Sequence, residues 1–407
     1  MQTETTARQR NNQYRNLLAL MANSGPERGS NKSALQQTIS MRSIMNCHRL
    51  AEAYKEDTRV AYISEQFPSE IVFASGALPW NIESMAIMLA QSIDVNRIFQ
   101  LTQEYELSRD ICSFLRGPHG MMLADCYPTP DVVLTNDQPC EGLAKMMTLA
   151  AKHYRAPVLS LNTPEFIDGD SIDYLAAQIE RVMRQMDELW QWKRDPEALR
   201  SAVRLSNEAR EYYCKTAQLF ERRALPGVSR EMQEIFGMNY FGSRQNVLVC
   251  KALYEEALKL ADGNEPAGAK RVLWIGQVPE ESHELLEHMR RVVDIVYWAP
   301  LWASNLRFLD EDKPLHSMAE RAMFYHWSAE RMRADTAAIC EKYNIEGLLI
   351  VNVWGCRNVA GISATLRDLA TAMKLRHLTI NIDLVDRNNY SFSHVKHRVD
   401  AFLELLQ

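Results

Sequence analysis

Cys140 lies in "DVVLTNDQPCEGLAKMM" (131–147), between an apolar run that reads as a short buried strand and a helix that opens at Glu141. Cys356 lies in "EGLLIVNVWGCRN", again after a strand and before a helix. In open parallel sheets the ligand crevice is found outside the carboxyl ends of the strands. Thiols at that edge are nucleophiles or soft metal ligands once ionised. Cys112, in "SRDICSFLRGPHG", precedes the strand before Cys140 by one connection and can reach the same edge. Three cysteines meeting in a cleft could hold an iron–sulfur cluster, whose irons are bound by thiolates. Zinc on three cysteines is the chemical competitor. The helices opening after Cys140 and Cys356 would add N–H donors and the positive end of a dipole, both of which favour an anionic centre.

Other motifs carry less. "HELLEH" spaces His283 and His288 five apart, so they lie on different helix faces and do not form the zinc-protease pair. "SGPERGSNKS" departs from the phosphate-loop spacing and reads as a linker. No Gly-x-Gly-x-x-Gly follows a strand, and Gly-x-Ser-x-Gly is absent, which weakens dinucleotide and hydrolase readings. The chain has eight cysteines, none in a Cys-x-x-Cys pair. Taken singly, each is by default a small buried apolar residue; Cys214, on the core side of a helical stretch, is read as structural.

The elements that must position these residues alternate. "RVAYISE", "DVVLTN" and "APVLSLNTP" read as strands, with helices at "PSEIVFASGA" and "EGLAKMMTLAAKHY" between them. From Ser171 to about Leu260 the apolar period becomes helical, with Asp195 as N-cap and Pro196 at the first helical position. The alternation resumes with "KRVLWIGQVP", "DIVYWAP", "EGLLIVNVWGC" and "HLTINIDLVD" as strands and "GISATLRDLATAMKL" and "HVKHRVDAFLELL" among the helices. The expected fold is α/β: two Rossmann-like parallel-sheet domains facing a cleft, with a helical N-terminal region and a helical connector. The expected divisions are 1–57, 58–168, 169–268 and 269–407, with a first helix over about 33–54. The halves share an architecture but no obvious sequence repeat.

Composition bounds the partners. A chain of 407 residues, 46% hydrophobic and 24% charged, is ordinary for a globular protein and can bury a large core without staples. Its net charge of −6, with no basic cluster, argues against a nucleic-acid surface. No apolar run reaches the ~18–20 residues of a membrane span. The polar start "MQTETTARQRNNQYRN" lacks a signal-peptide core, so a cytoplasmic location is expected.

Four segments in order resemble one family. "FPSEIVFASGALP" offers Pro68, Glu70, Ala74, Gly76 and Pro79; "DVVLTNDQPCEGLAKM" offers a strand–Cys–helix segment with Glu141 in place of the usual Asp. "EGLLIVNVWGCRN" offers a second such segment, with Arg357 where many members have Asp, and "LTINIDLVDR" with "HRVDAFLELL" offers a closing strand with an acidic end and a final helix. Together they resemble the 2-hydroxyacyl-CoA dehydratase and benzoyl-CoA reductase family.

The resemblance implies a heterodimer of related subunits, each with a [4Fe-4S] cluster on three cysteines. The matching positions are Cys112, Cys140 and Cys356, with Cys126, in "LADCYPTP", the rival for the first. Three ligands leave one iron open for a thioester carbonyl. A separate ATP-dependent activator protein would deliver one electron, and the acyl-CoA substrate would lose its 2-hydroxyl as a ketyl radical. Reductase relatives would reduce an aromatic ring instead. A third reading makes this chain an electron-relay or scaffold subunit whose cluster never meets substrate, and a fourth makes it a metal-free binding protein using the cleft. Ser64, Glu65 and Glu83, near the mouth of the first strand, are candidates for proton handling or for binding the open iron; surface or capping polarity is the plainer reading. Trp80 and Trp354 either wall the cleft or pack in the core, and His153 reads as a surface residue near a helix end.

Overall fold

In the computed structural model the described residues are 49–90, 94–221, 225, 227–238, 240–262, 270–277, 283–298, 306–324, 328–389 and 391–407. The first sheet consists of β1 (Val60–Ile63), β2 (Leu78–Asn81), β3 (Val132–Asn136) and β4 (Val158–Leu161). The second consists of β5 (Lys270–Ile275), β6 (Val293–Trp298), β7 (Gly347–Val353) and β8 (Arg376–Ile382). All pairings are parallel, in the orders β2-β1-β3-β4 and β6-β5-β7-β8. Each sheet therefore reverses direction between its first and third strands, the switch point at which such folds open their crevice.

The helices are α1 (Ser69–Ala74), α2 (Ile82–Ala90), α3 (Val95–Glu104), α4 (Ser113–Leu123), α5 (Glu141–Tyr154), α6 (Gly169–Leu189) and α7 (Pro196–Leu219). They continue as α8 (Val228–Met238), α9 (Arg244–Asp262), α10 (His283–Arg290), α11 (Pro314–Met323), α12 (Ala329–Lys342), α13 (Arg357–Ala372) and α14 (Phe392–Leu406).

The central strands are apolar runs because helices cover both faces: every residue of β1 and β3 is buried. Along β1 the alternation sends Ala61 and Ile63 to one face, with Leu134, Leu175, Ile179 and Met318, and Val60 and Tyr62 to the other, with Trp80, Met121 and Met147. Each such aliphatic side chain, fully buried, stabilises the fold by about 1.5–3 kcal/mol before entropy is counted. Local signals start and stop the long helices. Asp168 accepts from the Ser171 N–H at 2.8 Å, and Asp195 accepts from the Glu197 N–H at 2.9 Å with Pro196 following. Arg155, at φ 56°, ends α5 in the left-handed conformation.

The α/β class and the two parallel sheets match the sequence reading, with differences that have physical causes. The reading missed β2, which pairs with β1 from Val60↔Leu78 to Ile63↔Asn81. Pro79 disguises it; proline lacks an N–H but is tolerated on an edge strand. Three unforeseen helices, α2 to α4, fill the path from β2 to β3. Of the helix expected over 33–54, the described part is helical only through 49–52. Cys47 and the "SGPERGSNKS" stretch lie outside the described residues. The layers also interlock: α11, late in the chain, packs on α6 beneath the first sheet, where Met318 and Met323 join the first sheet's core. No described helix is long and apolar enough to cross a membrane.

Candidate functional site

The carboxyl ends of β1 and β3 meet at the first switch point. Ser64 and Glu65 follow β1, and Ser64 donates its hydroxyl to Asn136 Oδ1 at 2.5 Å, tying the two strand ends together. Glu83 begins α2, and its carboxylate accepts the Glu65 backbone N–H at 3.1 Å. Its own N–H donates to Asn81 Oδ1 at 3.1 Å. Ser64, Glu65 and Glu83 are all buried, so none of them is ordinary surface polarity. Burial pushes the Glu83 carboxyl up to about 7, against the pull of the Glu65 N–H. Burial, and then the charges of Glu83 and Glu234, raise Glu65 well above the carboxylate range. The like charge of Glu83 thus adds to burial in disfavouring an ionised Glu65.

Above them lies α8. Its Gly237 carbonyl accepts from Asn81 Nδ2 at 2.7 Å and from the Ser84 hydroxyl at 2.5 Å. A Cβ at Gly237 would sit 3.3 Å from Glu65 Oε1. One helical turn earlier, Gln233 donates to the Gly276 carbonyl at 3.4 Å and to Gln277 Oε1 at 2.9 Å, at the carboxyl end of β5. The same helix thus touches the mouths of both sheets.

Cys112, Cys140 and Cys356 occupy the same local position: each is the N-cap of a helix, α4, α5 and α13 respectively. None of the three makes a side-chain capping hydrogen bond, though the backbone N–H groups of the turn that follows pull each thiol down: Phe114 for Cys112, Leu143 and Gly142 for Cys140, Val359 and Asn358 for Cys356. The three are half-buried and near enough that each feels a neighbouring sulfur or carboxylate. Burial, followed by the charge of Cys356, holds Cys112 well above the usual thiol value. Burial pushes Cys140 up to about 12, with Glu83 adding to it. Burial likewise raises Cys356, while its N–H donors pull it down. At all three thiols burial thus outweighs the N–H groups of the helix N-terminus.

The chain stitches these three caps together from distant segments. Gly355, at φ 75°, lies against the Cys112 backbone; a Cβ there would be 2.5 Å from the Cys112 nitrogen and 2.6 Å from the Asp110 oxygen. Only glycine combines that backbone conformation with so close an approach. Arg357, after Cys356, pairs at 3.2 Å with Glu141, after Cys140. Asn358 donates its side-chain amide to the Pro139 carbonyl. The residues that depart from the family pattern, Glu141 and Arg357, thus pair with each other.

A second clamp holds α4. Ser113 donates to Asp383 Oδ1, which also accepts the N–H groups of Val385 at 3.1 Å and Asp386 at 3.0 Å. Arg116 bonds the Ile111 carbonyl at 2.8 Å and Asp386 at 3.1 Å, with both side chains of the ion pair buried. The loop after β8 therefore sets the approach of Cys112. Sequence reasoning found the acidic end of "LTINIDLVD" but not its partners; pairs that far apart in the chain leave no local signal.

Among the described residues, no group of three or more His, Cys, Asp or Glu side chains is spaced to hold a single metal ion. A cubane presents separate irons at its corners and takes its thiolates from wider apart than one ion does. Three sulfurs on three converging helix N-termini suit such an anionic group. Cys126 caps no helix N-terminus and lies at the other end of α4 from Cys112. It follows the far end of α4, which is 11 residues long, roughly 16 Å at the helical rise. It is fully buried in the core that contains Tyr62, Trp80 and Tyr127. Trp80 is also core, edge-on to Tyr54 at 5.8 Å and to Tyr127 at 5.4 Å, whereas Trp354 is half exposed beside Cys356. His153 is exposed at the end of α5. His288 contacts Asp400 on α14.

The sequence profile of the family "2-hydroxyglutaryl-CoA dehydratase, D-component" matches residues 65–406. The chain is also 22% identical over 386 residues to the (R)-phenyllactyl-CoA dehydratase alpha subunit of Clostridium sporogenes, covering 87% of this chain and 91% of that protein. The match begins at Glu65 and runs through every strand after β1, all three N-cap cysteines and the loop after β8: the chain belongs to the 2-hydroxyglutaryl-CoA dehydratase D-component family.

Proposed function

We propose that this chain is one subunit of an iron–sulfur 2-hydroxyacyl-CoA dehydratase, with Cys112, Cys140 and Cys356 as the ligands of a [4Fe-4S] cluster. The observation that carries this reading is the gathering of three N-cap cysteines from both sheets at the switch-point edge. When bound, such a cluster supplies a low-potential electron that labilises the 2-hydroxyl of an acyl-CoA thioester. The chain's own residues do the rest. Three helix N-termini offset the negative charge of the thiolates. Gly355, Asp383 and Arg116 fix the cap of α4 against the cap of α13. The buried Glu65 and Glu83, whose carboxyls burial raises, would supply the proton that a departing hydroxyl takes up. Ser64, buried and fixed on Asn136, ties the ends of β1 and β3 together at that mouth.

The similar Clostridium protein is an alpha subunit, which supports a homologous partner subunit here. An ATP-dependent activator protein, a cytoplasmic location and the division at 57, 168 and 268 belong to the same reading. The test is anaerobic co-purification with the partner subunit, followed by iron and sulfide analysis and a spectrum with and without acyl-CoA. Cys140→Ser should lower iron per chain while Cys126→Ser leaves it unchanged. Unchanged iron in Cys140→Ser would overturn the ligand assignment.

A further inference from the structure

A proton given up by Glu65 has to be replaced, and Glu65 is buried, as are its chain neighbours Ser64 and Gln66 and the nearby Glu83. The helix laid over this mouth is less closed. A Cβ at Gly237 of α8 would lie 3.3 Å from Glu65 Oε1 and 3.5 Å from Ser84 Oγ, so the bare Gly237 backbone faces the Glu65 carboxyl. Glu234 stands one turn earlier on the same helix. Positions three apart share a helix face, with about 5–6 Å between their Cβ atoms. Between Glu231 and Met238 every residue is buried except Glu234 and Gly237, which are half-buried. The strip of α8 that reaches solvent is thus the strip that lies against Glu65.

Two further observations point the same way. Glycine weakens a helix, yet α8 carries it where a side chain would press on the Glu65 carboxyl. After burial, the charges of Glu83 and Glu234 raise Glu65, and of those two neighbours Glu234 is the one open to solvent. Carboxyl groups pass protons directly or through one water, and a gap of one helical turn suits either route.

We propose that Glu234 is the proton inlet of Glu65, a positioning residue that acts through it. An O–H bond of the Glu234 acid breaks as one forms on the Glu65 carboxylate. Glu234 then takes a proton from solvent hydronium, and no electrons move. The proposal rests on Glu65 as a proton source in the dehydration proposed above.

The exchange can be followed without turnover. Mixing the purified holoprotein into D2O shifts the infrared carbonyl band of a buried protonated carboxyl, and Glu65→Gln identifies the band that belongs to Glu65. Glu234→Gln should slow that shift by at least about tenfold. Glu234→Ala should slow it equally, and formate in the buffer should restore the rate in Glu234→Ala alone, a rescue that a purely structural role would not give. With a 2-hydroxyacyl-CoA, Glu234→Gln should lower kcat and leave KM unchanged. An unslowed shift in Glu234→Gln, a slowed Glu234→Ala indifferent to formate, or the absence of any band lost in Glu65→Gln would overturn the inlet. A slowed shift with kcat unchanged would keep the inlet and overturn Glu65 as the proton source, so the two readings fail separately.

Discussion

The two sheets have the same strand order and the same cysteine at the same corner, yet their mouths differ. In the first, the residues after β1 are Ser64 and Glu65, buried and joined to Asn136 and Glu83. In the second, the equivalent corner after β5 is Gly276, at φ 119°, packed so tightly that a Cβ would lie 2.9 Å from the Val351 carbonyl. One mouth is built around proton-bearing groups and the other around close backbone packing. Shared topology places a thiol in each half, whereas the described residues directly after β5 are Gly276 and Gln277 rather than buried carboxylates. Polar burial of that kind needs anchoring, and the first half has it. Glu70, one turn beyond Glu65, takes both terminal nitrogens of Arg321 at 2.7 Å each, together with Ser206 and Arg210, in full burial.

The largest break in this comparison should come from Glu70→Gln. It leaves two buried arginines short of their counter-charge and should cost about 3–5 kcal/mol, read from urea denaturation at neutral pH. Burial alone would raise the Glu70 carboxyl, but Arg321, Arg210 and Ser206 outweigh it and hold it at about 2, below the ordinary 4.5. A depressed carboxyl stabilises fully above its unfolded value, and that stability is lost as the pH falls from about 4.5 through 2. Glu70→Gln should therefore flatten the acid limb of the stability curve; an unchanged limb would place acid sensitivity elsewhere.

A smaller effect sharpens the contrast between the mouths. Gly355→Ala and Gly276→Ala both force a side chain into a left-handed or crowded position and should each cost about 1–3 kcal/mol. Only Gly355→Ala presses on the backbone of Cys112. It should lower iron per folded chain, whereas Gly276→Ala should destabilise without that loss. Equal iron in both variants would detach the Gly355 turn from the cysteine site.

The smallest effect is expected at Arg357→Ala. The Arg357–Glu141 pair bridges the two cysteine caps but is 90% and 80% exposed. Exposed pairs contribute little, so the thermal midpoint should not move measurably. A clear drop would mean that the halves are joined at the surface rather than through the buried clamp of Asp383, Asp386 and Arg116.

Seven of the eight strands were legible because buried parallel strands are apolar runs between turn residues, and β2 was not, because Pro79 interrupts a run already too short to notice. Cys140 and Cys356 were legible as strand-to-helix junctions, a local pattern. Cys112 was legible only as a residue within one connection of that edge, and its match to a ligand position came from the resemblance. Its placement rests on Gly355 and Asp383, far along the chain, and on a helix that carries Gly117, Pro118 and Gly120 and so does not read as one. The burial of Glu65 and Glu83 was also hidden, since it depends on α8 being laid over them from the connector.

That overlay sets what can be exchanged between relatives. Because α8 bonds to Asn81 and Ser84 at one mouth and, through Gln233, to Gly276 and Gln277 at the other, neither half is a free-standing cassette. A chimera that grafts one sheet from a homologue without its matching 228–238 segment would leave donors and acceptors unmet on both sides of the seam.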